Sequence, residues 1–566
     1  MNAATANRPC GETPASRRLL GWLPLGAALA LACWPLAAGV PRGHDWRHEL
    51  VRVAEFGAAL REGQWPPAWA GNLYGGFGSP IFVYYAPLFA ATASLFAGAL
   101  GGVAAGVVAA LATMTALRGV AAAALAAEAV RLAAGDAELR GTTVRIAAAG
   151  FLLHPYLIAD LAVRNAFAEL SGLAFLPLAL AGALRAGRRP RQAAVLLAAG
   201  LAATLVAHNL TGLVALAMTG AAVLTWAALG AGRGAAALVL GTALGLLLAA
   251  WFWAPATALG PWMRPDELLA GKFDFRGNFP SLRELVSPSS DFAAGPMSAL
   301  GLALGGVALR GARGRLRGLL AALLAASLGL LFLMSAASRP LWESVPLLRF
   351  LQFPWRLVGP LALLGSLVTA LALAHFLRGR PARVRRAVEA ATLLLLAGSA
   401  LPALWRTRPL PPEVRRHLDG ALRGDSLRAA GERATVGDEY LPRPADPRIW
   451  RRPAGGPVLA LDPPAPVEVR VDAGSRLLLE IGSPAGGVLT LARWAFPGWS
   501  ATADRRPLPL GAGPGGVLVA SVPPGARRIE LRFGQPPWRA PAIAVSAAAG
   551  ILWLALAWRA WGRPAG

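Results

Sequence analysis

The residues best equipped for chemistry come early in the chain. Gly43-His44-Asp45-Trp46-Arg47-His48-Glu49 is followed by Arg52, Glu55 and Arg61-Glu62, then by Trp65-Pro66-Pro67-Ala68-Trp69. The spacing predicts a short amphipathic helix over residues 45–62, on which Asp45, His48, Glu49 and Arg52 share one face because positions three and four apart are neighbours. A carboxylate set among imidazoles and a second carboxylate can serve as a general base. Asp45 is therefore the candidate catalytic group, with His44 and Glu49 as helpers and His48 and Arg52 as substrate-binding neighbours. The same donors could hold a divalent metal through Asp45, although the spacing specifies no ligand set. The plain alternative is a helix whose charges satisfy one another and the lipid headgroups.

Three further segments carry related residue types. Leu153-His154-Pro155-Tyr156 through Asp160, Arg164 and Glu169 sets ionisable groups at the ends of two apolar runs. Such groups at membrane depth mark a functional site or a buried pair, and Asp160 and Arg164, four apart, could simply neutralise each other. His208-Asn209 ends another apolar run, where a polar pair more often clasps two helices than catalyses. Arg349-Phe350-Leu351-Gln352-Phe353-Pro354-Trp355-Arg356 precedes a further run. Its arginines could bind a phosphate through their planar forks, while tryptophan beside arginine is also common at membrane interfaces. Asp160, Arg164, Glu169, His208, Gln352 and Arg356 form the candidate substrate-binding set.

The elements that must position these residues are membrane helices. The chain of 566 residues is 55% hydrophobic and 15% charged, with a mean hydropathy of +0.50, well below the roughly 25% charge of soluble domains. Thirteen apolar blocks fall at 19–40, 81–99, 103–130, 146–160, 170–184, 192–207, 210–229, 234–254, 296–309, 318–337, 357–377, 388–405 and 541–560, most of them near the length that spans a bilayer. The net charge of +25 sits mostly in short loops between blocks, so it reads as a topology signal rather than a nucleic-acid surface. Cys10 and Cys33 are the two cysteines and cannot build a disulfide framework or a zinc site.

Arg17 and Arg18 before the first block place the N-terminus in the cytoplasm, with the block read as an uncleaved helix rather than a signal peptide. From Arg131 onward, arginine clusters fall on every second loop, which turns 41–80, 161–169, His208-Asn209, 255–295, 338–356 and 406–540 outward. Parity requires an odd number of crossings between residues 80 and 131, where there are two blocks. Block 81–99, with Tyr84, Tyr85 and Pro87, is the better candidate for an interfacial or re-entrant segment. Residues 406–455 read as a linker or docking arm. Beyond them, alternating stretches such as Val467-Glu468-Val469-Arg470-Val471, Leu477 to Ile481 and Arg527 to Phe533 predict an antiparallel β-domain.

The expected fold is an α-helical polytopic membrane bundle of about 12–13 transmembrane or re-entrant helices with a C-terminal extracytoplasmic β-sandwich-like domain. Residues 1–405 form the bundle with its first outward loop at 41–80. Residues 406–540 form linker and β-domain, and residues 541–566 a final transmembrane helix and cytoplasmic tail.

Several motifs resemble a known family. Gly43-His44-Asp45 through Gly63-Gln64-Trp65-Pro66, Tyr74-Gly75-Gly76-Phe77-Gly78-Ser79-Pro80, Val163-Arg164-Asn165-Ala166-Phe167-Ala168-Glu169, Leu351-Gln352-Phe353-Pro354-Trp355-Arg356 and Asp438-Glu439-Tyr440-Leu441-Pro442 resemble the bacterial membrane family labelled 6-pyruvoyl-tetrahydropterin synthase-related. That family is similar to the C-class (GT-C) polytopic membrane glycosyltransferases. Their first outward loop carries an acidic catalytic motif, and they take sugars from polyprenyl-phosphate carriers. The resemblance implies that Asp45 is the matching position; this chain has His44-Asp45 where many of those enzymes have two acidic residues. Phe496-Pro497-Gly498-Trp499-Ser500 resembles the C-terminal β-domain of related proteins that glycosylate extracytoplasmic polymers. The implied partners are membrane lipid, a polyprenyl-phosphate-linked sugar donor and a glycan, lipid or protein acceptor, at a bacterial inner membrane. Two other functions compete. A transporter or flippase would need polar or broken helices at mid-membrane, whereas the ionisable residues here gather at helix ends. A non-catalytic assembly protein would use the β-domain to bind an envelope polymer.

Overall fold

The computed structural model describes residues 21–133, 139–433, 435, 437–451 and 455–562. Arg17 and Arg18, expected to orient the N-terminus, lie outside the described residues, as does Cys10. Each apolar block becomes helix, but fewer than thirteen are full spans. Among the described residues eight helices are long and apolar enough to cross a membrane, or up to ten if two bent pairs each count as one span. One bend, of 42°, separates Arg140–Leu152 from Pro155–Arg164. It falls where Pro155 lacks an amide proton and forces His154 into an extended conformation. The other, of 69°, separates Gly232–Leu248 from Ala250–Ala258. Leu23–Leu36 and Leu88–Leu100 are shorter apolar helices, and Gly295–Gly311 has 17 residues.

Two polar ends define the bundle. At one, Glu128 accepts from Arg131, Arg185 and Arg188, Glu389 pairs with Arg145 and accepts from Thr142, and Gln192 donates to the Ala560 carbonyl at 3.0 Å. These are the loops of the arginine clusters. At the other, the segments expected to face outward bond to one another. Arg42 donates through its amide to Arg408 at 2.7 Å, Tyr84 to Leu259 at 2.8 Å, Gln352 to Leu268 at 2.8 Å, and Arg406 pairs with Asp291. Between the ends the helices approach closely through small residues: a Cβ on Gly200 would lie 2.4 Å from the Ala179 nitrogen.

The 13-residue Leu88–Leu100 helix is about 20 Å long, short of the roughly 30 Å hydrocarbon core. Just before it, Tyr85 packs edge-on against Tyr440; just after it, the Val103 amide donates to Asp419 at 2.9 Å. Both partners belong to the 406–455 segment, so this helix leaves and returns to the same polar end. The parity conflict between residues 80 and 131 is thereby removed.

Residues 458–533 form a sandwich from β1 (Val458–Asp462), β2 (Val467–Ala473), β3 (Arg476–Ile481), β4 (Gly487–Trp494), β5 (Trp499–Ala503), β6 (Arg506–Leu508), β7 (Leu510–Ala512), β8 (Val517–Val522) and β9 (Arg528–Phe533). The sheets run β1-β4-β8-β7 and β2-β3-β9-β5-β6. Alternation decides the core: β3 buries Leu477, Leu479 and Ile481, and β9 buries Ile529, Leu531 and Phe533. The sandwich is held to the first loop. Trp69, fully buried, packs on Phe496, Trp499 and Phe533, and Phe77 on Trp494. Arg493 donates to the Gly76 carbonyl at 2.6 Å. Within 406–455 the chain forms short helices at Pro412–Ala421, Gly424–Ala429 and Pro447–Trp450 that lie between bundle and sandwich. The chain returns to the membrane in Arg539–Trp561.

Candidate functional site

The expected amphipathic helix forms over Trp46–Arg61, with Asp45 at its N-cap. Its position follows from a close backbone approach. The His44 amide donates to Val163 at 2.8 Å and the Asp45 amide to Arg164 at 3.2 Å. Gly43 makes this fit, since a Cβ there would sit 2.1 Å from Asn165 Oδ1 and 2.4 Å from the Val163 carbonyl. On the other side Asp160–Arg164 is a wide helical turn ending at Asn165, which is fully buried with φ of 57°. Asparagine tolerates that left-handed conformation better than most residues, and its Nδ2 donates to Leu161 at 2.9 Å.

On the helix, Glu49 and Arg52 are buried and paired. Burial pushes the Glu49 carboxyl up to about 7, against the opposing pull of Arg52. The Arg52 guanidinium lies 4.3 Å from the centre of the Tyr85 ring. Asp45 is half-buried, and its side chain makes no capping bond to the helix. His44 is exposed. His48 is half-buried with Nδ1 3.2 Å from the Arg433 carbonyl oxygen, and burial lowers its pKa. The far end of the same helix carries the sandwich: Glu62 accepts from the Gly474 and Ser475 amides at 2.9 and 2.7 Å. One rigid element therefore links the acidic cluster to the β-domain.

The second cluster meets the first at residues 163–164. Arg164 pairs with Asp160 and lies 3.3 Å from Glu169, and Arg356 Nε lies 3.8 Å from the same Glu169 oxygen. Tyr156 donates to the other Glu169 oxygen. The two guanidiniums lie 4.1 and 5.9 Å from the centre of the Trp355 ring. Gln352, at φ of 61°, accepts from Arg356 at 3.1 Å. Asp160 Oδ2 and Arg356 Nε are buried without a hydrogen bond among the described residues. His208 caps its own Asn209–Ala228 helix through Thr211, a bond within one helix and not the clasp between two helices that its sequence context suggested, and is close enough to feel the charge of Glu169. His154 bonds to the Ala294 carbonyl at 2.8 Å.

The structure thus brings together His44, Asp45, His48, Glu49 and Arg52 with Asp160, Arg164, Glu169, Gln352 and Arg356, and leaves His208 at the margin. Asp160 and Arg164 do neutralise each other, yet in a network that also engages Glu169 and Arg356. The arrangement offers a partly accessible carboxylate, Asp45, close enough to feel the charge of Arg52, on a segment whose main chain is paired with the turn that carries Arg164. Among the described residues no three His, Cys, Asp or Glu side chains group closely enough to hold a metal ion.

Sequence reasoning missed the tyrosines. The chain has five, and all lie at this end. Tyr85, Tyr84 and Tyr440 pack together, Tyr156 contacts Glu169, and Tyr74 meets Trp450. Their scarcity beside 19 tryptophans and 19 phenylalanines was the available signal. Asp438-Glu439-Tyr440 lies beside Tyr74, and the buried Tyr74 hydroxyl, Asp438 Oδ1 and Glu439 Oε2 have no hydrogen-bond partner among the described residues. Arg118, buried near Asp160 and His154, was also missed.

No protein-family model matches the chain, so the resemblance to the 6-pyruvoyl-tetrahydropterin synthase-related family gains no support from that comparison. No curated protein matches either. Two solved structures of arabinofuranosyltransferase AftD from Mycobacteria are similar. A mutant form matches at 20% identity over 70% of this chain and 28% of that chain, with a TM-score of 0.45. The other matches at 21% identity over 70% of this chain and 27% of that chain, with a TM-score of 0.47. The chain spans less than a third of the length of the proteins it matches.

Proposed function

We propose that this protein is a membrane glycosyltransferase that moves a sugar from a polyprenyl-phosphate carrier to an acceptor hydroxyl at the extracytoplasmic face of a bacterial inner membrane. The observation that carries the reading is the main-chain pairing of His44-Asp45 with Val163-Arg164, which joins the segment bearing a half-buried carboxylate to the turn that belongs to the arginine-rich, aromatic-lined cluster. In the reaction the acceptor oxygen attacks the anomeric carbon as Asp45 takes its proton. The bond from that carbon to the phosphate oxygen breaks, and the lipid phosphate leaves with the electron pair. In this reading Arg356, whose Nε has no hydrogen bond among the described residues, and Arg164 stabilise the charge that develops there. Glu49 and His48 set the local field rather than touching the reacting atoms, and Gln352 holds Arg356.

In this reading residues 1–405 are the catalytic bundle and residues 406–540 an extracytoplasmic linker and sandwich. The cluster of Asp160, Arg164, Glu169 and Arg356 lies with the Asp45 helix at one end of the bundle, which supports surface chemistry over transport through it. The test is mass spectrometry of envelope glycans and lipid-linked sugars in a deletion strain carrying either the wild-type chain or Asp45→Asn. Loss of a glycan with accumulation of its lipid-linked donor is expected for the variant. Full product from Asp45→Asn at normal abundance would instead support a non-catalytic assembly protein whose sandwich binds envelope polymer.

A further inference from the structure

The Trp46–Arg61 helix has a second working face. Asp45, Glu49 and Arg52 lie on one side; Ala54, Gly57, Ala58 and Arg61 recur at the same helical spacing on the opposite side. That back face lines a cavity of about 440 Å³, closed on its other sides by the Leu88–Leu100 helix, the start of Val103–Leu132 and residues 419–424. Its volume is in the roughly 300–1,000 Å³ range of small-ligand sites. Small residues leave it open: a Cβ on Gly98 would meet nothing within 4 Å. Leu95 and Leu100, beside it, are exposed on the short apolar helix, so the cavity opens next to surface suited to lipid.

Its basic groups are unpaired. Arg61 and Arg423, both exposed, line it, and neither guanidinium makes a hydrogen bond or ion pair with a described residue, although Arg428 nearby bonds to Asn72 and Asp472. The two acids at the cavity are already engaged. Asp419 accepts from the Val103 amide, and both oxygens of Glu55 accept from Asn72, at 3.0 and 2.8 Å. Asp419 already occupies the amino end of the Val103–Leu132 helix, so the two unpaired guanidiniums are what offer an anion a site, and phosphate suits their geometry.

We infer that this cavity binds the phosphate of a membrane-embedded amphiphile, with Arg61 and Arg423 on the phosphate and the apolar chain running out past Gly98 toward Leu95. The site stands whether or not the protein transfers sugars. It occupies the face of the helix opposite Asp45, and is a binding site in its own right.

The experiment uses the full chain purified in detergent, titrated in mixed micelles with phosphatidylglycerol, phosphatidylcholine, a polyprenyl phosphate and inorganic phosphate, with bound lipid counted by native mass spectrometry. Phosphatidylglycerol or polyprenyl phosphate should bind, at least tenfold better than phosphatidylcholine. Preference between the two assigns the ligand to bulk lipid or to an isoprenoid carrier. Arg61→Gln with Arg423→Gln should reduce that binding at least tenfold, and Gly98→Leu, whose Cβ would meet nothing within 4 Å, should do the same by blockage. Equal binding by both variants, or binding of inorganic phosphate as tight as that of the lipid phosphates, would overturn the inference. Elution volume and helical content of each variant confirm that the fold is intact.

Discussion

The backbone amide of Asp45 donates to the carbonyl of Arg164 at 3.2 Å, so the candidate base and the arginine cluster are set relative to one another by main chain, not by flexible side chains. A substitution of the Asp45 side chain should then remove chemistry without moving the cluster. Asp45→Asn is expected to lower product at least about a hundredfold, the usual effect of losing a general base, at unchanged protein abundance. Arg164→Ala should lower both product and abundance, because it strands Asp160 as a buried unpaired charge and removes one of the partners of Glu169, a change that costs about 3–5 kcal/mol. Envelope glycan and membrane-fraction protein measured side by side separate these outcomes. An Asp45→Asn protein that retains full product removes Asp45 from the mechanism.

Gly43 gives an independent handle on the same contact. Gly43→Val would place carbon against Asn165 and the Val163 carbonyl, forcing residues 43–45 off the 163–165 turn. Product should fall about as far as in Asp45→Asn, although every charged side chain is still present. Normal product from this variant would show that the main-chain contact is dispensable.

Glu49 should make stability depend on pH. Its carboxyl, normally near 4.5, is pushed up to about 7 by burial, so the folded protein holds a proton that the unfolded chain releases. The resulting stability is fully present below about pH 4.5 and is lost as pH rises through about 7, a difference of about 3 kcal/mol at most. Glu55 shifts in the same direction. Glu49→Gln cannot lose this contribution. Between about pH 5 and pH 8 the Tm of the wild-type chain should therefore fall relative to that of the variant. A gap that stays constant with pH would mean that Glu49 remains ionised beside Arg52 throughout.

Topology reporters test the two-ended bundle. Fusions near Arg188 and Arg315 should report cytoplasm, and fusions near Lys272 and Pro442 the outside. A fusion at Gly101 should agree with Lys272, because the Leu88–Leu100 helix begins and ends at the same polar end. A cytoplasmic signal at Gly101 would make that helix a crossing.

Trp69 should control how the sandwich sits. Truncating a buried tryptophan costs about 3–5 kcal/mol, and here much of that loss falls on contacts to Phe496, Trp499 and Phe533. Trp69→Ala should leave the sandwich folded on its own core of Leu477, Leu479, Leu489, Leu491, Ile529 and Leu531, while raising the rate of proteolysis between bundle and sandwich. An isolated 456–538 fragment should be strand-rich by circular dichroism and bind a hydrophobic dye through the uncovered Trp494 and Phe496. Unchanged proteolysis in Trp69→Ala would place the docking energy elsewhere.

Much of this architecture is legible in residue order alone, because hydropathy and periodicity are local properties. The alternation of Leu477, Leu479 and Ile481 predicts β3, the i, i+3, i+4 spacing of Asp45, His48, Glu49 and Arg52 predicts their shared helix, and the arginine loops predict which segments gather at each end. Tertiary structure decided the rest. Among the described residues eight to ten helices are long and apolar enough to cross a membrane and the other apolar blocks are shorter helices, since proline at 155 bends one block and the Leu88–Leu100 segment is turned back by contacts with Tyr440 and Asp419, far away in sequence. The convergence of the five tyrosines, the ties of Arg164 to both Asp160 and Glu169, and the seating of Trp69 in the sandwich depend on which surfaces pack together. No local pattern encodes that, because each such contact joins residues whose own neighbourhoods would look the same without it.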